Sequence, residues 1–283
     1  MSNNKVRIIV DSAADMAPES KERLTVLPMT VRFGNEEFID GVTINHKEFY
    51  SKLIESDELP TTSQIMPMAY ADAFKEALDA GEDVVVITIS SKLSGTFQSA
   101  NIAAEEVGGN IYVVDSLNAA IGEGILAEYA LKLRDEDKSA KEIADTLTQE
   151  RGNIRLVAML NTLEYLKKGG RISKTVAFAG ELLSIKPVVH ILDGEVQMLG
   201  KARGSRQGNN LLVKEIESAG GVDFEKPLLL GYSGLDGTLL HKYIEDSAEL
   251  WKDNTEDLRI SPIGSIIGTH VGPGAIAVAF FKK

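Results

Sequence analysis

The chain has 283 residues, no cysteine and a formal net charge of −12 at pH 7. This acidic balance argues against broad binding to nucleic acid or to an anionic membrane surface. The lack of cysteine excludes disulfides, thiolate catalysis and cysteine-ligated zinc. Residues 1–5 lack the apolar core of a signal peptide, and no apolar run reaches the ~20 residues of a membrane span. We therefore expect a cytoplasmic protein without stable membrane insertion.

The first half of the sequence alternates strand-like and helix-like segments. Apolar runs rich in β-branched residues predict strands at 6–10, 24–33, 84–89 and 111–114, with a hairpin turn at Gly34-Asn35-Glu36-Glu37-Phe38. Apolar residues at helical spacing predict helices over 46–55, 67–80, 96–107, 120–134 and 139–151. Such alternation predicts a parallel sheet that is covered by helices on both faces.

The second half mixes hairpins with helices. Strands are predicted at 156–160, 187–192, 195–201, 227–232, 258–262 and 275–281, with Asp193-Gly194 as a hairpin turn, a helix over 205–218 and a loop at 270–274. This pattern favours a mixed sheet. The sequence therefore predicts an α/β protein of two domains. Residues 1–155 would form a three-layer α/β/α domain with a parallel sheet, and residues 156–283 a two-layer α/β domain.

The strand-to-helix turn at residues 90–100 is the clearest candidate site. A loop rich in hydroxyls and glycine, placed where a buried strand leads into a helix, offers free N–H groups and the positive end of the helix dipole to an anion. Ser94 lies in this turn, although it could equally be a helix N-cap. A second hydroxyl cluster, at residues 60–64, precedes a helix that begins with proline and by itself suggests an ordinary capping loop.

Histidine and basic residues give weaker signals. His270 lies in a Gly-Pro loop that a core rarely needs, but a lone histidine is more often structural. Lys167–Lys174, including Arg171, and the group Lys201, Arg203 and Arg206 are positive patches on an acidic chain. Each patch is either a solvated face or a docking site for an acidic partner or a phosphate.

Several enzyme signatures are missing from the sequence. It contains no Gly-x-Gly-x-x-Gly after a strand, no Walker lysine motif, no Gly-x-Ser-x-Gly and no histidine pair at metal-ligand spacing. A serine hydrolase that uses Ser94 and His270 stays possible because triads are defined by geometry, but no orienting carboxylate is evident. A binder of a small phosphate or sugar is a further alternative.

The chain resembles the DegV family of bacterial fatty-acid-binding proteins. The resemblance rests on an ordered set of motifs along nearly the whole chain: Asp11-Ser12-Ala13-Ala14-Asp15, Pro60-Thr61-Thr62-Ser63-Gln64, Ser90 to Ala100, Val114-Asp115-Ser116, Leu166 to Ser173, Lys186-Pro187 and His270-Val271-Gly272-Pro273-Gly274. The chain departs from the family at Ala13, Met16 and Ile65, where serine, leucine and proline are common.

The resemblance implies a long-chain fatty acid bound between two α/β domains, with hydroxyls at Thr62 and Ser94 on its carboxylate. We expect the N–H groups of Gly95 or Thr96 to assist and His270 to lie near the head group. In the family the protein is a carrier, without catalysis or a cofactor of its own, that presents the acid to a separate ATP-dependent kinase. Arg171, Arg203 and Arg206 are then candidates for docking that kinase.

Overall fold

The computed structural model describes residues 5–172, 185–251 and 258–283. The first half contains β1 (Lys5–Asp11), α1 (Pro18–Lys21), β2 (Thr25–Leu27), β3 (Thr30–Phe33), β4 (Glu36–Ile39), α2 (His46–Glu55), β5 (Thr61–Ser63), α3 (Pro67–Asp79), β6 (Glu82–Thr88), α4 (Thr96–Val107), β7 (Ile111–Asp115), α5 (Ala120–Asp135) and α6 (Ala140–Glu150). The second half contains β8 (Ile154–Met159), α7 (Glu164–Lys168), β9 (Ile185–Leu192), β10 (Glu195–Arg203), α8 (Gly204–Ser218), β11 (Leu229–Tyr232), α9 (Thr238–Asp246), α10 (Ala248–Trp251), β12 (Ile260–Pro262), α11 (Ser265–Val271) and β13 (Ile276–Phe281).

A four-stranded parallel sheet organises the first half. Its order is β2-β1-β6-β7, and every pairing is parallel. The helix pairs α3–α4 and α5–α6 pack against it, which explains why β1 and β6 are buried apolar runs. The predicted parallel sheet is therefore confirmed, and the layering is consistent with the α/β/α arrangement.

A small antiparallel sheet of order β4-β3-β5 was only partly predicted. The hairpin between β3 and β4 is confirmed. The stretch 24–33, however, is two strands in different sheets, and the prediction of one continuous strand region was wrong because Pro28 interrupts it. Residues 61–63, predicted as a capping loop, instead form β5, in which Thr62 pairs with Val31 of β3.

The second half builds a six-stranded mixed sheet of order β10-β9-β8-β13-β11-β12. The β9–β10 hairpin turns at Asp193-Gly194, where φ is +50° and +84°. Positive φ at both central residues gives the twist that matches a two-residue hairpin, so the predicted turn is confirmed. Ser173 and Lys174 of the predicted basic stretch lie outside the described residues.

Helix α11 was not predicted. The loop expected at 270–274 begins only after Val271, and His270 lies in the last turn of this helix. Residues 265–269 of α11 are all buried, so the segment lacks the alternation of apolar and polar faces by which a surface helix is predicted.

The two halves of the chain are in extensive contact. Helix α5 packs against β1 and β6 of the parallel sheet and against β8, β11 and β13 of the mixed sheet. One hydrophobic cluster accordingly extends from Val6 to Phe281. The domain boundary near residue 155 stays a prediction. Within the described ranges, no helix combines the length and the apolar character that crossing a bilayer requires.

Candidate functional site

A cavity of about 410 Å³ lies against one face of the mixed sheet, within the size range of small-molecule sites. Its floor is a row of residues that face each other across four strands. Ala277 of β13 is paired with Gly231 of β11 and with Ala158 of β8, and Ala158 is paired with Val189 of β9. All four line the cavity. Because three of them are alanine or glycine, the sheet leaves space that larger side chains would fill.

The rest of the wall is largely aliphatic. Ile266 and Ile267 of α11 contribute to it. Further apolar lining residues are Met29, Ile89, Leu93, Ala119, Ala120, Leu156, Leu160, Leu166, Ile191, Val196, Ile263, Val271, Ala275 and Ile276. Among the described residues, a wall of this composition offers no polar side chain to a ligand, so it suits a hydrocarbon.

The polar lining residues form one connected group at the end of the cavity that reaches the surface. They are Thr62, Ser63, Gln64, Ser94, Arg171 and His270, together with the backbone of Gly95. Contacts link their positions: Thr62 bonds His270, and Gln64 lies over Gly95. Ser63, Gln64 and Gly95 are exposed, so the described residues place this end of the cavity at the protein surface.

Thr62 and His270 meet although 208 positions separate them in the chain. Thr62 Oγ1 lies 3.0 Å from His270 Nε2. Burial, with a smaller contribution from the positive charge of Arg171, lowers the pKa of His270 to about 4. The ring is therefore neutral at pH 7. Its other nitrogen, Nδ1, is buried and has no hydrogen-bond partner among the described residues.

Ser94 lies in the loop just before α4. The N-cap of α4 is Gly95, so the interpretation of Ser94 as the N-cap was wrong by one residue. Ser94 Oγ still accepts a hydrogen bond from Thr96 N at 3.3 Å and lies 2.9 Å from Thr96 Oγ1. Thr96 itself is fully buried behind Ser94 and does not line the cavity. Of the two residues whose N–H groups were candidates, only Gly95 lines the cavity.

The arginines divide into two groups. Arg171 lines the cavity, and its guanidinium donates to Gly169 O at 2.5 Å and to Leu93 O at 3.3 Å. Arg203 and Arg206 are exposed at the end of β10 and the start of α8, and neither lines the cavity. Sequence reasoning missed the place of Arg171 in the wall, and it missed Gln64, whose only signal was its position in the hydroxyl cluster.

The geometry does not support a serine hydrolase. His270 bonds Thr62 rather than Ser94, and Ser94 is paired with Thr96. A triad also needs a carboxylate on the second histidine nitrogen, whereas no aspartate or glutamate lines the cavity in the part of the chain that the structure describes. Among these same residues, no group of three acidic or histidine side chains is arranged to hold a metal ion.

Comparison with known proteins places the chain in a family. Residues 5–283 match the family model described as "Uncharacterised protein, DegV family". A DegV domain-containing protein of Caldanaerobacter subterraneus is 33% identical over 285 residues, which cover 99% of each chain. Another from Lactococcus lactis is 36% identical over 284 residues, which cover 96% of each chain.

Solved structures agree with this match. A DegV family protein from Thermus thermophilus, described as fatty-acid binding, has a TM-score of 0.88 and 30% identity, covering 99% of this chain and 100% of its own. A fatty-acid-binding DegV protein from Streptococcus agalactiae has a TM-score of 0.84 and 27% identity over 99% of each chain. The Fatty Acid Kinase (Fak) B3 protein of Streptococcus pneumoniae, loaded with linoleic acid, shares the fold at a TM-score of 0.85 and 23% identity, covering 99% and 100%. The chain belongs to the DegV family.

Proposed function

We propose that this protein binds a long-chain fatty acid, with the acyl chain against the mixed sheet and the carboxylate at the polar end of the cavity. The observation that carries the proposal is an aliphatic cavity of about 410 Å³ whose polar groups form one cluster at its open end. The Thermus thermophilus and Streptococcus agalactiae relatives, both fatty-acid binding, support it.

The acyl chain supplies most of the affinity. Each buried methylene contributes about 0.8 kcal/mol, so a 16-carbon tail gains on the order of 10 kcal/mol when it leaves water. The polar cluster then has to orient the head group rather than to hold the ligand. This division of roles explains why the cavity carries few polar side chains.

Hydrogen-bond roles at the head group follow from the chemistry of a carboxylate. An ionised carboxylate only accepts, so Thr62 must donate to it and can therefore only accept from His270. The proton on the neutral ring is thus on Nε2, and Nδ1 carries a bare lone pair, in agreement with its lack of a partner among the residues that the structure describes. Ser94 and the N–H of Gly95 complete a set of neutral donors. Neutral donors bind the carboxylate more weakly than a bidentate arginine, which leaves its oxygens free to react.

The second part of the proposal is that the bound acid is a substrate for a separate ATP-dependent kinase, which forms an acyl phosphate for phospholipid synthesis. Its support is the open polar end of the cavity, where a carboxylate would be accessible, and the shared fold with the Fatty Acid Kinase B3 protein. The chain would then act as a cytoplasmic carrier without catalysis or a cofactor of its own. Exposed Arg203 and Arg206 are our candidates for docking the kinase, whereas we assign Arg171 to the cavity wall.

Native mass spectrometry of gently purified protein tests the binding function. We expect a bound mass equal to that of a fatty acid with about 14 to 18 carbons, a size at which tail burial dominates the affinity. A spectrum of the free chain that also fails to shift when palmitate is added would refute fatty-acid binding. Thermal-shift screening with phosphosugars covers the alternative, because stabilisation by these compounds and not by fatty acids would favour a small-phosphate site.

A further inference from the structure

Gly169, in the loop after α7, packs directly against the histidine of the site. A Cβ atom added at Gly169 would lie 2.4 Å from His270 Nδ1 and 3.0 Å from both His270 Cε1 and the backbone oxygen of Tyr165. The first distance is about 1 Å short of the 3.4 Å at which ordinary contact begins. Any other residue at position 169 would therefore require a shift, and the nearest neighbour, the His270 ring, is a side chain that can move whereas the Tyr165 oxygen belongs to the backbone.

The backbone does not require glycine at this position. Gly169 has φ −70° and ψ −14°, which are ordinary right-handed helical values. The next residue, Gly170, is the opposite case: its φ is +72°, and nothing lies within 4 Å of an added Cβ. Glycine at position 170 is therefore favoured by the backbone conformation, whereas glycine at position 169 is favoured by the close packing of His270.

We propose that Gly169 is a positioning residue for the fatty-acid site, which holds the His270 ring where its Nε2 can donate to Thr62. The identity of the ligand rests on the proposed function, whereas the positioning of the His270 ring does not. The loop that carries Gly169 is also joined to the Ser94 loop, because Arg171 donates both to Gly169 O and to Leu93 O, next to Ser94. The segment of Gly169 and Arg171 thereby connects His270 with the Ser94 loop.

Displacement of the ring would break the connection between His270 and Thr62. Their atoms are 3.0 Å apart, and a movement or tilt of about 1 Å takes such a pair outside hydrogen-bond range or alignment. Thr62 would then lose the donor that directs its own hydroxyl proton to the carboxylate. We expect Gly169→Ala to weaken fatty-acid binding roughly ten-fold, the lower end of the effect of one hydrogen bond to a charged group.

A double-mutant cycle tests this role. Gly169→Ala should reduce the affinity for palmitate in the wild-type background and change it less than two-fold in the His270→Ala background, because the ring is then absent. Gly170→Ala is the matched control, in which backbone strain should lower the unfolding temperature while the affinity stays within two-fold. An equal loss in both backgrounds, or no loss in either, overturns the proposal.

A second measurement does not depend on the ligand. Nitrogen-15 NMR of the imidazoles, with His270 assigned by its absence in His270→Ala, should show one tautomer protonated at Nε2 in the wild type and a mixture in Gly169→Ala. Unchanged shifts overturn the positioning role even if no fatty acid binds, whereas a clear change without any binding refutes only the proposed function. If Gly169→Ala does not fold, Gly169→Ala with His270→Ala should fold, and failure of both also overturns the proposal.

Discussion

Ala158→Leu is expected to shorten the acyl chain that the cavity accepts. Ala158 is nearly fully buried in the floor of the cavity and faces Ala277 on the neighbouring strand. A leucine at this position projects into the space along the sheet, since side chains at Ala158 and Ala277 point to the same face. The added volume therefore competes with the tail rather than with the head group.

The size of the effect follows from the methylenes that are displaced. Leucine adds about three methylenes' worth of side chain, and each methylene kept in water costs about 0.8 kcal/mol. Acids whose tails reach Ala158 should lose about 2 kcal/mol of binding free energy, or roughly 30-fold in affinity. Shorter acids that end before Ala158 should lose nothing.

Calorimetric titration with saturated acids of increasing length is the appropriate assay, with the wild type measured in parallel. The loss should be absent for the shortest acids and should reach a plateau for the longest ones. Short acids serve as the internal control for folding, because a disrupted fold would weaken every ligand. A uniform loss at all lengths, or no loss at any, would show that the tail does not run along the Gly231–Ala277–Ala158–Val189 row.

Further substitutions examine the head group, a buried acid and the proposed docking residues. Thr62→Val keeps the side-chain shape but removes the hydroxyl, so it should weaken fatty-acid binding by about 1.5–3 kcal/mol. Thr61 is exposed on the same strand, and Thr61→Val should leave the affinity unchanged. Equal affinities for the two variants would contradict the assigned head-group position. Burial raises the pKa of Asp15 to about 7, so the folded state favours the protonated acid and the protein loses up to about 4 kcal/mol of stability as pH rises from about 4 through 7. Asp15→Asn should therefore reduce the difference between the free energies of unfolding measured in urea at pH 5 and at pH 8. An unchanged difference would show that Asp15 does not titrate as inferred. Arg203→Ala with Arg206→Ala should slow phosphorylation of the bound acid by a fatty-acid kinase and leave fatty-acid binding intact; a loss of binding would instead connect these residues to the cavity.

The sequence predicted local structure well where one element carries its own pattern. Helices α2 and α4 begin and end at the predicted residues because their apolar spacing and flanking residues are local signals. The Asp193-Gly194 hairpin is likewise local. Elements whose existence depends on distant partners were missed: β5 is a three-residue strand that exists by pairing with β3, and α11 is buried among other elements.

The candidate site divides in the same way. The sequence shows clusters of hydroxyls, a strand-to-helix turn and a histidine in a glycine-rich segment. It therefore determined by itself which residues were candidates for the site. Only the tertiary structure decided that Thr62 bonds His270, that Thr96 lies behind Ser94 and that Arg171 lines the cavity. The physical reason is that composition and periodicity report on neighbours a few residues apart. A cavity is the space left between elements whose separation is set by packing across the whole fold.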